Sequence, residues 1–377
     1  MNVRKLSLTV AGLGLLCLLA WFLQRPAPPV SADPRIGEPL LAAALAESAA
    51  EVRLTDQGRT VTLKRDAAGT WSVTSYHDFP ADFAKLTGLI AALTDAKLQR
   101  LVTARPDRLS RLGFNDSSVT LLDAAGRELW QVAIGKTADG GGRFVRLGSE
   151  QKGFLAPLNL WLDAEAKNWA DATLLDLKPE AVSKVVVGFA ESAAPAITIS
   201  RDKADAAWTA AAPEGKQLKV ERVTSLLSSL GNLRFTETFA PDDPQVATAL
   251  AHSRTVTLTT FAGRTYTITL GRKPEEKKPK AAAPAEGAKT DQADPGSAAD
   301  KPKEPEFETI PAGPVIVKIS DSEPTSPLNA RMAKRAFQIS EWTFTGLPAE
   351  ADLWEAKPAP APAAAPAPEA PPSQSVP

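Results

Sequence analysis

Cysteine is almost absent from this sequence: the single one among 377 residues, Cys17, lies within an apolar run near the N-terminus. A disulfide within the chain is therefore excluded, as are a thiolate metal site and a cysteine nucleophile anywhere beyond that run. Acidic and basic side chains nearly cancel, with a net charge of −1 and a pI of about 6.3. The chain as a whole thus lacks the basic field of a nucleic-acid-binding protein, and we expect no nucleic-acid partner.

The first apolar run predicts a membrane anchor. Leu6–Leu23 carries no charge and follows Arg4 and Lys5, and as a helix it spans roughly 27 Å, close to the hydrocarbon thickness of a bilayer. Basic residues before the run predict that the N-terminus stays inside. We therefore expect residues 1–5 to form a cytoplasmic tip, the run to cross a bacterial inner membrane once, and the rest to lie in the periplasm.

Two other interpretations of this N-terminus remain open. The run resembles the core of a cleaved signal peptide, with Val30-Ser31-Ala32 as a distant cleavage site. It also contains Cys17, as a lipoprotein signal would, but Leu16 rather than a small residue precedes that cysteine. We expect Cys17 to be an ordinary apolar residue of the helix. All three interpretations export the remaining chain.

Proline and alanine concentrate in three low-complexity stretches. Residues 24–45 predict a proline-rich spacer, residues 356–377 a disordered Ala/Pro-rich tail, and residues 274–309 a disordered insertion that mixes both charge signs.

An internal repeat is the strongest signal in the exported part. Thr60–Asp66 matches Ala196–Asp202, and a tryptophan follows each segment, Trp71 and Trp208. We expect both tryptophans to anchor the core rather than to stack on a ligand. Amphipathic helices follow at matching places, with apolar faces made by Leu86, Leu89, Ile90 and Leu93 in the first copy and by Val223, Leu226, Leu227 and Leu230 in the second. Asp82 is placed to cap the first helix.

Matching hairpins follow the helices, with tight turns at Ala125-Gly126-Arg127 and Ala262-Gly263-Arg264. Each copy then reaches a Pro-Leu-Asn step, and helices are predicted over residues 158–169 and 328–337. The second copy is longer by roughly 33 residues, which surface loops tolerate at little cost. The sequence therefore predicts an α+β fold: a duplicated unit of mostly antiparallel sheet with packed helices, repeat 1 over residues 46–179 and repeat 2 over residues 180–355, preceded by one transmembrane helix.

These features resemble a bacterial family known as domain of unknown function 4340. The resemblance is carried by the anchor, the strand–Trp–helix unit around Trp71, and three short segments: Leu112-Gly113-Phe114, Ile134-Gly135 and Phe144-Val145-Arg146. It covers roughly residues 45 to 350 and implies no catalytic residues. Family members are often encoded beside subunits of gliding-type ABC transporters, which implies an accessory role.

No catalytic, cofactor-binding or metal-binding set emerges from the sequence. Gly135-Lys136-Thr137 resembles the end of a phosphate-binding loop, but Trp130 occupies the position where such a loop needs glycine. His77 and His252 are unrelated in the repeat and lack acidic or thiol neighbours, which favours surface histidines.

Two sets of charged residues complete the search. Arg65-Asp66 and Arg201-Asp202 recur as strand-end turn residues. A local cluster of Arg100, Arg105, Arg108 and Arg111 is diluted by Asp107 and Asp116. Two interpretations stay open: a patch that meets lipid phosphates or an acidic partner, and an ordinary solvated face.

The sequence thus favours a non-enzymatic binding or scaffold protein of the envelope, with a membrane or envelope protein as its partner and ABC transporter subunits as the first candidates. Two alternatives stay open: an envelope hydrolase or transferase with an unrecognised carboxylate site, and a periplasmic ligand receptor with a cleft between the copies.

Overall fold

The computed structural model describes residues 33–115, 117–189, 195–279 and 307–357, and the chain divides into two compact units, Met1–Asp171 and Ala172–Pro377. The predicted anchor, the cleavage-site segment and most of the tail therefore lie outside the described residues, as does the middle of the insertion. No helix in the described ranges is long and apolar enough to cross a membrane. Each unit combines one large antiparallel sheet with a few short helices, as predicted for an α+β fold.

The first unit has a nine-stranded sheet. Its strands are β1 Glu51–Asp56, β2 Arg59–Arg65, β3 Trp71–Val73, β4 Phe79–Pro80, β5 Arg100–Thr103, β6 Ser118–Leu122, β7 Glu128–Thr137, β8 Arg143–Leu147 and β9 Gly153–Ala156. Its helices are α1 Ala43–Ser48, α2 Phe83–Asp95 and α3 Pro106–Leu109, with 3-10 turns at Ser110–Leu112 and Ala166–Trp169. The strands lie in the order β4-β3-β2-β1-β6-β7-β8-β9-β5.

The second unit has a nine-stranded sheet and two small two-stranded sheets, β14 with β22 and β18 with β19. Its strands are β10 Thr173–Asp176, β11 Val182–Val187, β12 Ile197–Ser200, β13 Thr209–Ala210, β14 Lys216–Leu218, β15 Asn232–Phe239, β16 Ser253–Thr260, β17 Thr265–Gly271, β18 Glu276–Pro279, β19 Phe307–Ile310, β20 Val315–Asp321, β21 Ala336–Ile339 and β22 Trp354–Ala356. Its helices are α4 Val220–Gly231, α5 Pro244–Leu250, α6 Pro327–Lys334 and α7 Glu341–Thr345, with 3-10 turns at Pro179–Ala181 and Glu350–Leu353.

The two large sheets share one strand order. The second reads β13-β12-β11-β16-β17-β20-β21-β15-β10, so β3-β2-β1-β6-β7-β8-β9-β5 of the first unit has a counterpart strand at every position. The register agrees as well: Val145 of β8 pairs with Ile134 and Phe154, and Val317 of β20 pairs with Leu270 and Phe337. A shared order and register of this length indicates two copies of one unit.

Each core forms where a helix covers the sheet. Alternating apolar residues of the central strands are buried, among them Val52, Leu54, Val61, Leu63, Val119 and Leu121 in the first unit and Val185, Ile199, Val256, Leu258 and Ile268 in the second. Helix α2 adds Leu86, Leu89 and Leu93, while Asp82 caps it by accepting a hydrogen bond from Lys85 N at 3.0 Å. The predicted cap and apolar face are both confirmed.

Three details of the sequence analysis are corrected. Residues 158–169 form only a 3-10 turn, because Asp163 binds the backbone N–H of Glu165 and the side chain of Asn168 and so holds a local loop. The second predicted helix ends at Lys334, and Phe337 lies in β21. The two Pro-Leu-Asn steps are not equivalent, since one follows β9 and the other precedes β21.

The unit boundary and the insertion also differ from the prediction. The units separate between Asp171 and Ala172, ahead of the predicted boundary at residue 179, because β10 pairs with β15 of the second unit. The ends of the insertion are ordered, since Glu276–Pro279 pairs with Phe307–Ile310 as an antiparallel hairpin.

Candidate binding sites in the first unit

The repeated Arg-Asp and Trp residues mark the first candidate site. Asp66 accepts hydrogen bonds from Ala68 N at 2.9 Å and Thr70 N at 2.8 Å, which confirms its predicted role in a turn. The Cζ atom of Arg65 lies 5.7 Å from the centroid of the Trp71 ring, and Arg65 also donates a hydrogen bond to Glu47 O at 3.2 Å. The pair therefore stacks as a cation–π contact at the end of β2 and β3.

An apolar groove opens beside this pair. The Trp71 groove, a cavity of about 380 Å³, is lined mainly by Ala43, Ala46, Ala49, Val52, Trp71, Phe83, Leu86, Ile90 and Ala91, with Arg65, Glu47 and two threonines adding polar groups. Its walls are α1 and α2. Helix α1 lines the groove with two small side chains, Ala43 and Ala46, and with Glu47, and it buries none of its residues. Phe83, the first residue of α2, is 61% exposed.

The second unit uses the equivalent residues differently. Trp208 is only 9% exposed, and the Cζ atom of Arg201 lies 4.3 Å from its ring centroid. Arg201 donates to the carbonyl oxygens of Val182, Pro179 and Ala204, at 2.9, 2.6 and 2.6 Å. Trp208 is the core anchor that the sequence predicts, whereas Trp71 is only half-buried and faces an open groove.

The second candidate site lies where the three short segments of the family resemblance meet. A Cβ atom added to Gly135 of β7 would overlap Leu112 O and lie 3.0 Å from Cε1 of Phe114. One added to Gly153 of β9 would lie 3.5 Å from Cε2 of the same ring. The phenyl ring of Phe114 thus lies beside two glycines that flank β8, and at Gly135 a side chain would collide with the backbone oxygen of Leu112.

Arg146 of β8 completes this site, which we call the Phe114 junction: Leu112–Phe114, Gly135, Lys136, Arg146 and Gly153. The Cζ atom of Arg146 lies 5.5 Å from the Phe114 ring centroid, and its buried Nε has no hydrogen-bond partner. The aliphatic part of the Lys136 side chain packs against the same loop: a Cβ atom added to Gly113 would lie 2.7 Å from Cγ of Lys136. The sequence motifs therefore make one physical contact, which sequence reasoning did not foresee.

The arginine cluster is spread around this junction rather than gathered into it. Arg108 and Arg111 are exposed on the helical turns that lead into Leu112, and Arg100 is exposed on β5. Arg105 forms an ion pair with Asp107 at 3.2 Å. Asp116 lies outside the described residues.

Charged groups with shifted pKa values occur in ion pairs. Hydrogen bonds from Arg35 and Lys152 hold the pKa of the buried Asp33 carboxyl well below its usual range, and Arg35 also clamps Glu150 through two bonds of 2.8 Å. In the second unit, hydrogen bonding from Arg264 lowers the pKa of Asp321 to about 2. The pKa is likewise lowered in Asp123, Glu150 and Asp163, each of which pairs with a cationic side chain. A lowered pKa is expected of a carboxylate in a structural ion pair, whereas a general acid needs a raised one.

The two histidines are exposed loop residues, as predicted. His77 lies 4.9 Å from Tyr76, measured between ring centroids. His252 borders a cavity of about 700 Å³ in the second unit, lined also by Phe189, Lys216, Arg254, Phe344 and Trp354. Arg254 donates to the carbonyl oxygens of Leu347 and Pro348, so part of its hydrogen-bonding capacity is already used. Within the described residues, no group of three or more His, Cys, Asp or Glu side chains is placed to hold a metal ion.

A protein-family model matches part of the chain. The model of a family described as a domain of unknown function (DUF4340) matches residues 71–252. This confirms the resemblance to the family over residues 71–252, a segment that includes Trp71, α2 and the whole Phe114 junction. No curated protein and no solved structure matches the chain.

Proposed function

We propose that this chain is a non-enzymatic binding and scaffold protein of the bacterial envelope. It is held at the inner membrane by Leu6–Leu23 and uses the Trp71 groove to bind an apolar segment of a membrane protein complex. ABC-type transporter subunits are the first candidate partners, by analogy with the gene neighbourhood of the family.

The single observation that carries the proposal is the contrast between the two units. Both place an Arg–Trp pair where the chain passes between corresponding strands, β2 to β3 and β12 to β13, but the first unit leaves its tryptophan half-buried beside an apolar groove. In the second unit the cavity beside Trp208 is lined mostly by polar residues, among them Gln217, Lys219 and Glu221. Since the fold forms without the open groove, the groove is not needed for folding.

The chemistry of the groove suits a protein segment better than a reaction. Its lining is mainly aliphatic and aromatic, and among the described residues that line it Glu47 is the single carboxylate, so no pair of carboxylates is present for acid–base work. An exposed phenylalanine at a helix start can be buried by a partner, which contributes about 1.5–3 kcal/mol for a large apolar side chain. The periplasmic position follows from the predicted anchor and gives the groove access to a neighbouring membrane complex.

The test is affinity capture of the full chain from membranes with two matched variants. Phe83→Asp places a charge in the groove. Val220→Asp is the control, because it places the same charge at the equivalent, 45% exposed position of α4, where the second unit has no apolar groove. We expect wild type and V220D to retain the same membrane partner, and F83D to lose it by about tenfold or more. Equal capture by all three proteins would refute the proposal.

A further inference from the structure

The Phe114 junction holds a positive charge that its surroundings do not neutralise. Arg146 is half-buried, and no carboxylate of the described residues pairs with it or with Lys136. Other half-buried arginines of the first unit are better satisfied: Arg35 binds Glu150 and Asp33, and Arg143 donates to the carbonyl oxygens of Gly135 and Leu160. A partly desolvated guanidinium without a counter-ion is costly, which points to an anion that is supplied from outside.

The second unit shows that this arrangement is not required by the fold. There Gly271 makes the same close approach, to Ala249 O, so Ala251 takes the place of Phe114. Lys318, which occupies the place of Arg146, is exposed. The surrounding residues Val246, Ala249 and Ile316 form a closed apolar cluster. The phenyl–guanidinium stack is thus an addition to the first unit alone.

The contact with Phe114 orients the planar guanidinium of Arg146 for a bidentate contact with an oxyanion. The Phe114 ring restricts the guanidinium, so less conformational freedom is lost when it binds an oxyanion. Lys136, anchored along the same loop, adds a second cation, and the exposed Arg108 and Arg111 precede that loop. The guanidinium offers a planar fork of donors and the ammonium a point charge, and proteins use both groups to bind phosphate.

We propose that the Phe114 junction binds the phosphate group of a phosphate ester, with Arg146 as the principal ligand and Lys136 as the second. The contact is made by side chains. It differs from a phosphate-binding loop, because Gly135 and Lys136 lie in strand β7 and not before a helix. This site is separate from the Trp71 groove and does not rest on the proposed scaffold function.

The phosphate has two possible sources, a membrane lipid or a soluble ester, and one titration distinguishes them. Full-length chain in neutral detergent is titrated calorimetrically with glycerol 3-phosphate and with dihexanoyl phosphatidic acid, which carry the same phosphate monoester. Dihexanoyl phosphatidylcholine serves as the zwitterionic control. Equal affinity for the first two assigns a soluble ester, and clearly tighter binding of the lipid assigns a headgroup at the membrane surface.

Variants connect the binding to the junction. Arg146→Ala should weaken phosphate binding about tenfold or more, as expected for loss of a charged hydrogen-bond donor, and Arg146→Lys should recover only part of it. Lys136→Ala alters an exposed side chain, so it keeps the test valid should R146A fold poorly, and a several-fold loss is expected. Lys318→Ala, the counterpart in the second unit, should bind like wild type.

The proposal is overturned if neither phosphate compound binds saturably, or if R146A and K136A both bind like wild type. Failure here is distinguishable from failure of the scaffold proposal. R146A should still capture the membrane partner, whereas F83D should still bind phosphate.

Discussion

Replacing Gly135 by alanine should destabilise the first unit specifically. The added methyl group would overlap Leu112 O and lie 3.0 Å from the Phe114 ring, and the neighbouring contact is backbone that cannot rotate away. Overpacking of this kind costs about 1–3 kcal/mol, and a backbone clash favours the upper end of that range. Gly271→Ala should cause a matching loss in the second unit, because its Cβ would meet Ala249 and Leu250 in the same way.

A matched glycine provides the control. Gly88 lies on the exposed side of α2, and a Cβ there would meet nothing within 4 Å. Alanine at this position should stabilise the first unit by about 0.5–1 kcal/mol, because glycine is the poorer helix residue. The comparison therefore separates the steric effect from the general effect of replacing glycine.

Hydrogen exchange measured by mass spectrometry reports on each unit separately. Gly135→Ala should speed the slowest exchange of β6 and β7 peptides by about 5- to 150-fold and leave β16 and β17 unchanged, with the reverse for Gly271→Ala. If the first unit of the Gly135→Ala protein exchanged as slowly as that of the wild type, Gly135 would not lie close to Leu112 and Phe114, and the description of the Phe114 junction would be wrong.

Three further predictions concern the core, the insertion and pH. Leu93→Ala and Leu230→Ala remove equivalent, fully buried side chains and should each cost about 2–5 kcal/mol in their own unit, as measured by chemical denaturation; a loss below about 1 kcal/mol in either would contradict the duplicated core. Replacing residues 280–306 by an Asn-Gly turn should leave the thermal midpoint equal or slightly higher, because the backbone of residue 279 already pairs with that of residue 307. A large fall would show that the insertion packs on the domain. The pKa of Asp321 is lowered in the folded protein, so its ionised carboxylate stabilises the second unit above about pH 4, the pKa of an aspartate in the unfolded chain, and this stabilisation is lost as pH falls toward about 2. Between pH 5 and pH 2 the thermal midpoint of Asp321→Asn should therefore fall less than that of the wild type. Equal falls in the two proteins would contradict the assignment.

The local sequence pattern is sufficient to predict the helices and hairpins in which apolar residues recur with a strong period. The spacing of Leu86, Leu89 and Leu93, with Asp82 before them, specifies α2 because each signal acts within a few residues along the chain. The repeated hairpins were found for the same reason. Short sequence matches without periodicity predict structure poorly. The two Pro-Leu-Asn steps share three residues but lie at different places in the sheet topology. The helix predicted after the first step is a loop that Asp163 holds through its hydrogen bonds.

The candidate sites depend on contacts between distant residues, which one sequence does not reveal. Phe114 meets Arg146 only because β7, β8 and β9 are adjacent in this order with this register. The glycines at 135 and 153 were a partial signal, since each allows a close approach, but nothing in their spacing identifies Phe114 as the neighbour. Likewise, Trp71 and Trp208 follow similar segments, and the difference in their burial arises from what packs beside them.

The most direct test of the proposed scaffold function is site-specific photo-crosslinking in intact cells. A photoreactive amino acid is placed at Phe83, in the Trp71 groove, or at Val220, its equivalent in the second unit. The account predicts a discrete crosslinked product with a membrane protein from position 83, absent from position 220 and lost when Ile90→Asp is added. The same products from both positions, or none from position 83, would contradict it.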